Sequence, residues 1–332
     1  MQRNLSTELY RCLMMLGICL LHGATIGSHL DIGYRPYWGN VFLSCVTAFV
    51  FISGYYGIRF RVSRFLQLWG LGLFYALFLA IGSRWLSLPA FPVYADGRSF
   101  IVLVRDLTFS QWFLNCYAAL MLLSPVLNVA VEKSDRSQLK LIGSAIGGLV
   151  FIWGYLSEKL HGAFISPPHI DGMGNYTVIM MLGVYVEAQI FRRLSLDTLI
   201  RPRYWVGLLA ISIPFTAVGL GGYASPFALL FSMASFSLVS RITVPPHRGK
   251  VISFIVPSLF PIILFDSRRM IILLKTYLFN ETGFNHYVVY VLVGIAILLW
   301  GTVPDMIVRR PLILLGKLIW HKLTVANGGR VQ

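Results

Sequence analysis

Long apolar segments alternate with short polar ones along the whole chain. A bilayer core takes about 20 helical residues to cross and offers no partners for backbone N–H and C=O groups, so repeated crossings must be helical. Ten candidate segments run near 9–28, 40–58, 66–88, 109–131, 141–157, 175–191, 204–221, 225–240, 251–267 and 286–307. The pattern predicts an all-α bundle of about ten transmembrane helices that forms a single domain over residues 1–332. Its last residues, 308–332, are expected to form a short basic cytoplasmic tail. The longest outer loops are expected at 84–108 and 158–174.

Composition narrows the class of protein further. Of the 332 residues, 57% are hydrophobic and only 12% are charged, against about 45–50% and about 25% in soluble globular chains. The mean hydropathy is +0.72. These values exclude an ordinary soluble enzyme and a disordered chain. Ten crossings also leave no room for a separate soluble domain.

The distribution of positive charge predicts the orientation. The chain has 28 Lys and Arg against 13 Asp and Glu, a net charge of +15. With the N-terminus in the cytoplasm, 20 cations fall at inner positions and 8 at outer ones, namely Arg35, Arg84, Arg98, Arg105, Lys159, Arg268, Arg269 and Lys275. Such a bias places both termini in the cytoplasm of a multi-pass protein of the cell's inner (plasma) membrane. Topology and anionic lipid contact then explain the charge, and no nucleic-acid partner is required.

The chain carries no motif for a metal, a disulfide framework or a nucleotide. Its cysteines have neither CxxC nor clustered His/Cys spacing, and no P-loop or GxGxxG occurs. We interpret them as small apolar side chains inside predicted helices: Cys12, Cys19, Cys45 and Cys116. We therefore expect no metal site.

The first predicted helix carries two ionisable residues eleven positions apart, Arg11 and His22. Eleven residues make about three helical turns, so the side chains share one face about 16 Å apart along the axis. One interpretation is a snorkelling Arg and a His hydrogen-bonded inside the bundle. Charged groups within hydrocarbon are costly, which favours a functional interpretation: an anion-binding Arg at the inner end, and a proton acceptor further out, since the ordinary pKa of His is near 6.5.

A second motif, FVFISGYYGIRFRVSR, closes the second predicted helix. Ser53 and Gly54 are small residues that let a neighbouring helix approach closely. Positive-inside anchoring accounts for Arg59. Arg61 and Arg64 lie one helical turn apart, a spacing suited to gripping a phosphate group.

Five motifs in chain order resemble acyltransferase family 3, the multi-span O-acyltransferases that modify bacterial surface sugars. The first motif is Arg11 separated from His22 by ten residues, and the second is FISGYY followed by Arg61-x-x-Arg64. The other three are the segments SQWFLNCYAALMLLSPVLN, GNYTVIMMLGVYVEAQIFRR and SFIVPSLFPIILFD. It covers most of the chain. One departure stands in the last segment, where many members have a His and this chain has Asp266; we interpret Asp266 as an ion-pair partner of Arg268 or Arg269.

The resemblance implies transfer of an acyl group, usually acetyl, from cytoplasmic acyl-coenzyme A to a hydroxyl of an extracytoplasmic or lipid-linked glycan, without a metal. His22 matches the family's essential His, as base or transient acyl carrier, and Arg11 its paired Arg. The coenzyme then binds at Arg61 and Arg64, with Ser53 of the same motif. The aromatic segment adds three candidate hydrogen-bond donors to the oxyanion of the reaction: Trp112, Asn115 and Tyr117.

Two other interpretations stay open at this stage. A secondary transporter or flippase of a sugar-containing substrate also needs about ten spans and buried charges. Transporters show broken helices at matching places in two halves, whereas Pro214, Pro257 and Pro261 are all late in this chain. A sensory or scaffold protein would not need Arg11 and His22 on one face.

Glu187 is interpreted as a salt-bridge partner of the basic pair at 192–193.

Overall fold

The computed structural model describes residues 4–25, 37–85, 99–109, 111–154, 174–220, 223, 225–264, 274–278, 285–315 and 318, which are mostly helical and contain no strand. The helices are α1 (Leu5–Thr25), α2 (Tyr37–Tyr56), α3 (Val62–Trp85), α4 (Phe100–Phe109), α5 (Trp112–Lys133), α6 (Arg136–Ile146), α7 (Gly174–Arg193), α8 (Leu196–Leu199), α9 (Pro202–Phe215), α10 (Pro226–Val239), α11 (Pro246–Ile255), α12 (Leu259–Leu264) and α13 (His286–Pro304). The predicted all-α class is confirmed.

Five helical stretches of the described chain are long and apolar enough to cross a membrane: Leu5–Ala24, Trp38–Tyr56, Val62–Ile81, Trp112–Lys133 and Tyr287–Leu315. This supports a helical membrane protein. The count of about ten crossings and the cytoplasmic location of the termini stay predictions.

Several predicted helices are interrupted, and most of the interruptions lie at proline. A π-helical turn follows α9 at Thr216–Leu220, just after Pro214. A 3₁₀ turn at Val256–Ser258 contains Pro257 and separates α11 from α12. Another π-helical turn, Asp305–Arg309, follows Pro304 at the end of α13. Proline lacks the N–H that a helix needs and clashes with the preceding turn, so the backbone changes its hydrogen-bond pattern there.

The sequence suggested an outer loop between α3 and α5, but part of this segment is helical. Residues 100–109 form α4, which packs along α3. Phe100 and Val104 contact a buried group on α3 that includes Tyr75 and Leu79. The segment is amphipathic and too short to span a bilayer, which is why a search for long apolar runs missed it.

The bundle is organised around α1 and α2, which pack against each other and against α7, α10 and α13. Aromatic contacts fill the centre: the Phe236 ring lies 4.5 Å from Tyr55 and 5.7 Å from Phe51, centroid to centroid. The Tyr10 hydroxyl lies 2.7 Å from Ser235 Oγ. Two aromatic residues of α2 and one of α1 therefore converge on α10.

Small residues set the closest helix crossings. At Gly54, a Cβ would lie 2.8 Å from both the Tyr185 Cα and the Ala188 Cβ. The predicted close approach at Gly54 is thus confirmed, with α7 as the neighbour. At Gly23, a Cβ would lie 2.6 Å from the Tyr290 carbonyl oxygen, so α13 approaches α1 in the same way. Such contacts bring helix backbones together where hydrophobic burial gives little driving force.

The Gly54→Ala variant is expected to destabilise the protein by about 1–3 kcal/mol, because the added methyl group must push α2 away from α7. The matched control is Gly207→Ala in α9, where a Cβ would meet nothing within 4 Å. Thermal unfolding of the purified variants in detergent measures the difference. Equal melting temperatures for the two variants would contradict the proposed helix contact.

Candidate active site

A cavity of about 880 Å³ opens at the Arg11 end of the bundle. α1, α2, α3, α5, the turn after α13 and α12 contribute its walls. Four guanidinium groups line it, from Arg11, Arg59, Arg64 and Arg309. All four belong to the cations that the positive-inside pattern assigns to the cytoplasmic side. A concentration of positive charge in a concave site points to an anionic ligand.

Arg11 is held by a carboxylate on its own helix. Its Nη1 donates to both carboxylate oxygens of Glu8, at 3.0 and 3.2 Å. The Glu8 side chain is 8% exposed, whereas that of Arg11 is 32% exposed. The ion pair therefore holds one terminal nitrogen of the guanidinium and leaves part of the group accessible. The spacing of three residues in the sequence is the signal that could have revealed this pair.

Arg309 is held by a second carboxylate, Asp305, whose side chain is fully buried. Asp305 accepts hydrogen bonds from the Tyr75 hydroxyl at 2.8 Å and from Ser258 Oγ at 2.7 Å. It also pairs with the Nε of Arg309 and with the Nε of Arg310. These contacts join α3, the 3₁₀ turn and the end of α13. A buried carboxylate with four donors is fully satisfied, so its position is fixed.

Arg59 and Arg64 differ from the other two cations. Both are exposed and make no ion pair with any described residue. The structure places Arg64 in the cavity and Arg61 outside its lining. Arg61 precedes α3, and its carbonyl accepts the N–H groups of Arg64 and Phe65 at 3.0 Å each. The two arginines therefore stand one helical turn apart, but only Arg64 lines the cavity, where Arg59 is the second cation from this segment.

The loop that carries Arg59 is tied to two other helices. Gly57 begins it with a φ of +72°, a conformation that favours glycine. The Ile58 N–H donates to the Tyr185 hydroxyl at 2.7 Å, and Asn128 Nδ2 donates to the Ile58 carbonyl at 2.9 Å. Asn128 Oδ1 in turn accepts from the Tyr185 hydroxyl and from Gln189 Nε2, each at 2.7 Å. We call Asn128, Tyr185 and Gln189 the loop clamp.

Ser53 and Tyr117 meet beside Arg11 in the same cavity. Ser53 Oγ lies 3.3 Å from the Tyr117 hydroxyl. The Tyr117 ring stacks along Phe113 at 6.0 Å and lies 5.9 Å from Phe260. Of the residues singled out in the sequence, the structure thus brings together Arg11, Ser53, Arg64 and Tyr117.

Trp112 and Asn115 do not line this cavity. Trp112 packs against Tyr223 at 5.6 Å. Asn115 Nδ2 donates to the Phe109 carbonyl at 2.8 Å, which joins the end of α4 to α5. Asn115 is two residues from Tyr117, about 200° around the helix, so it faces a different neighbour.

His22 lies in the last turn of α1 and is partly buried. It is not among the residues that line the cavity. Eleven residues of helix place it about 16 Å from Arg11 along the axis. The paired roles expected for Arg11 and His22 therefore belong to different depths of the bundle. Asp266 lies outside the described residues.

The end of α1 that carries His22 packs near a buried cation. Gly23 meets the Tyr290 backbone, and the Lys275 Nζ lies 4.8 Å from the centre of the Tyr290 ring. Lys275 is 2% exposed, and burial lowers its pKa to about 8. In the sequence, Lys275 is distinguished only by its place in a predicted outer loop.

The predicted salt bridge of Glu187 is wrong. Within the described chain Glu187 makes no ion pair and lies against α6, where its Oε2 would be 3.5 Å from a Cβ on Gly143. Arg192 is exposed, and Arg193 donates to the Ser134 carbonyl at 3.2 Å. Residues five and six positions on from Glu187 point about 120–140° away from it around the helix.

A comparison with protein families gives one match over this arrangement. A family model described as an acyltransferase domain matches residues 4–304. The chain belongs to acyltransferase family 3. Searches of curated proteins and of solved structures give no match. Membership confirms the resemblance carried by the motifs, and it establishes acyl transfer as the class of reaction. The match ends at residue 304, so the ion pair of Asp305 and Arg309 lies beyond the matched region.

Removing the central hydroxyl of the loop clamp tests whether it holds the loop. Tyr185→Phe is expected to cost about 1–3 kcal/mol, because the Ile58 N–H loses its acceptor, and to speed amide hydrogen exchange at 57–61. Tyr277→Phe is the control, since Tyr277 is exposed at 61%. Unchanged exchange at 57–61 in Tyr185→Phe would show that the loop is held by other contacts.

Proposed function

We propose that this acyltransferase moves an acyl group, most simply acetyl, from acyl-coenzyme A to a hydroxyl of an extracytoplasmic or lipid-linked glycan in the inner membrane. The observation that carries the proposal is the cavity with its four guanidinium groups. Glu8 and Asp305 each neutralise one cation, and Arg59 and Arg64 pair with no carboxylate among the described residues. A ligand with several phosphate groups, such as coenzyme A, supplies the missing negative charge.

The apolar part of the cavity suits the rest of the donor. Beyond the arginines, its lining includes Leu71, Phe74, Met121 and Phe260. The phosphates of coenzyme A require cations, whereas its long pantetheine arm requires a channel without competing charge. In this proposal the arm passes Ser53 and Tyr117 and carries the thioester towards the depth of His22.

The chemical step proposed for His22 is general-base catalysis. Its neutral imidazole accepts the proton of the glycan hydroxyl while the oxygen attacks the thioester carbonyl. The carbon–sulfur bond then breaks, and the thiolate takes the proton from the imidazolium as it leaves. In the alternative form, the imidazole itself attacks, carries the acyl group and passes it to the hydroxyl. Of the three residues first considered as oxyanion donors, Tyr117 lines the donor cavity near Arg11, where the donor arm passes it on the way to His22.

Family membership favours this function over transport. A transporter or flippase of a sugar-containing substrate shares the helical membrane fold and the buried charges, but the matched family is one of acyltransferases. The proposal needs no metal, and no group of three or more His, Cys, Asp or Glu in the described residues is arranged to hold one.

His22→Ala is expected to lower acyl transfer at least 100-fold, the scale of general acid–base catalysis being about 10²–10⁴. Donor binding should persist, because His22 is not among the residues that line the donor cavity. Membranes are incubated with labelled acetyl-coenzyme A, and both bound coenzyme and label in glycan are counted. His247→Ala, at an exposed position on α11, is the control. Normal transfer by His22→Ala would contradict the assigned role.

Arg64→Gln is expected to raise the KM for acyl-coenzyme A about tenfold or more, because a charged hydrogen bond contributes about 1.5–3 kcal/mol, with a smaller effect on kcat. Arg61→Gln removes the same charge three residues away, outside the cavity lining, and should raise KM less. Initial rates over a range of donor concentrations measure both. A larger KM effect for Arg61→Gln than for Arg64→Gln would refute the placement of the donor in this cavity.

A further inference from the structure

The end of α13 brings one more cation into the donor cavity. Pro304 ends the regular helix, and the π-helical turn Asp305–Arg309 follows. A π turn inserts an extra residue and so changes which side chains face a neighbour. Arg309 lines the cavity here together with Arg11 and Arg64.

The two arginines at the end of the turn, Arg309 and Arg310, have different surroundings. Arg310 is satisfied inside the protein: its Nη2 donates to the Phe254 carbonyl at 2.8 Å and to Ser258 Oγ at 2.6 Å. Its guanidinium carbon also lies 5.0 Å from the centre of the Phe254 ring. Arg309 meets Asp305 through Nε and also interacts with the Tyr75 hydroxyl, and both of its terminal nitrogens lie outside the ion pair with Asp305. Only Arg309 of this pair lines the cavity.

Charge balance distinguishes a ligand site from a purely structural ion pair. Asp305 carries one negative charge and is shared by two guanidinium groups, Arg309 and Arg310. Among the residues that the structure describes, one positive charge at this end of the cavity therefore has no carboxylate partner. The carboxylate, the Tyr75 hydroxyl and Ser258 Oγ hold the network together from three elements. Arg309 is thus both held in place and only partly neutralised, as an arginine that binds a phosphate needs to be.

We propose that Arg309 binds a phosphate group of the acyl donor, and that Asp305 is the positioning residue that aims it. The proposal rests on the proposed function, since it takes acyl-coenzyme A as the ligand of the cavity. It adds a donor-binding residue that lies outside the matched family region and on an element remote in sequence from Arg59 and Arg64.

Two donors with the same thioester test this assignment: acetyl-coenzyme A, and S-acetyl-pantetheine, which has no phosphate. Arg309→Gln is expected to raise the KM for acetyl-coenzyme A about tenfold or more and to leave the KM for S-acetyl-pantetheine as in the wild type. The ratio of the two KM values thus changes, which a general loss of stability would not produce. Arg248→Gln is the matched control: it removes the same charge at an exposed position on α11, outside the cavity lining, and its ratio should equal that of the wild type.

Arg309→Lys keeps one positive charge but lacks the planar fork of Arg, so its ratio is expected between those of wild type and Arg309→Gln. It also keeps the test decisive if Arg309→Gln does not accumulate in the membrane. A wild-type ratio in the Arg309 variants overturns the inference and leaves the proposed function intact. If the wild type transfers acetyl from neither donor, the proposed function fails, and this inference fails with it.

Discussion

Mutual repulsion of like charges is the constraint on which the cavity depends. Four guanidinium groups line one concave site, and at reduced dielectric their repulsion would oppose folding unless it is offset. Two carboxylates offset part of it, Glu8 on α1 and Asp305 at the end of α13. Both are nearly or fully buried, so they act on the guanidinium groups with little screening by solvent. The remaining charge is what an anionic donor would neutralise.

The geometry of the cavity is set by contacts that carry no charge. Gly54 allows α7 to approach α2, and that approach brings Tyr185 close enough to accept the Ile58 N–H. Asn128 binds the carbonyl of the same residue from α5. Both backbone groups of Ile58 are therefore satisfied by side chains, which fixes the residue just before Arg59. The position of the loop that carries Arg59 therefore depends on the close crossing of α2 and α7 at Gly54.

The sequence predicted what depends on local pattern. Hydrophobic length predicted the helices, the small residues around Gly54 predicted a close crossing, and the motifs predicted the family. It did not predict contacts that depend on the fold. Arg309 lies about 250 residues after Arg59 in the chain, and only packing shows that they share a cavity. The predicted salt bridge of Glu187 was wrong for a related reason: residues that are close in sequence do not always lie on the same face of a helix.

The proposed function accounts for the separation of His22 from the cavity. About 16 Å of α1 lie between Arg11 and His22, and the arginines that line the cavity gather at the Arg11 end. If the phosphates stay with the arginines, only the thin, uncharged arm of the donor has to enter the bundle. In the proposed function, the glycan acceptor would approach no further than the depth of His22. Such a division keeps the charged parts of the donor out of hydrocarbon, where they would be most costly.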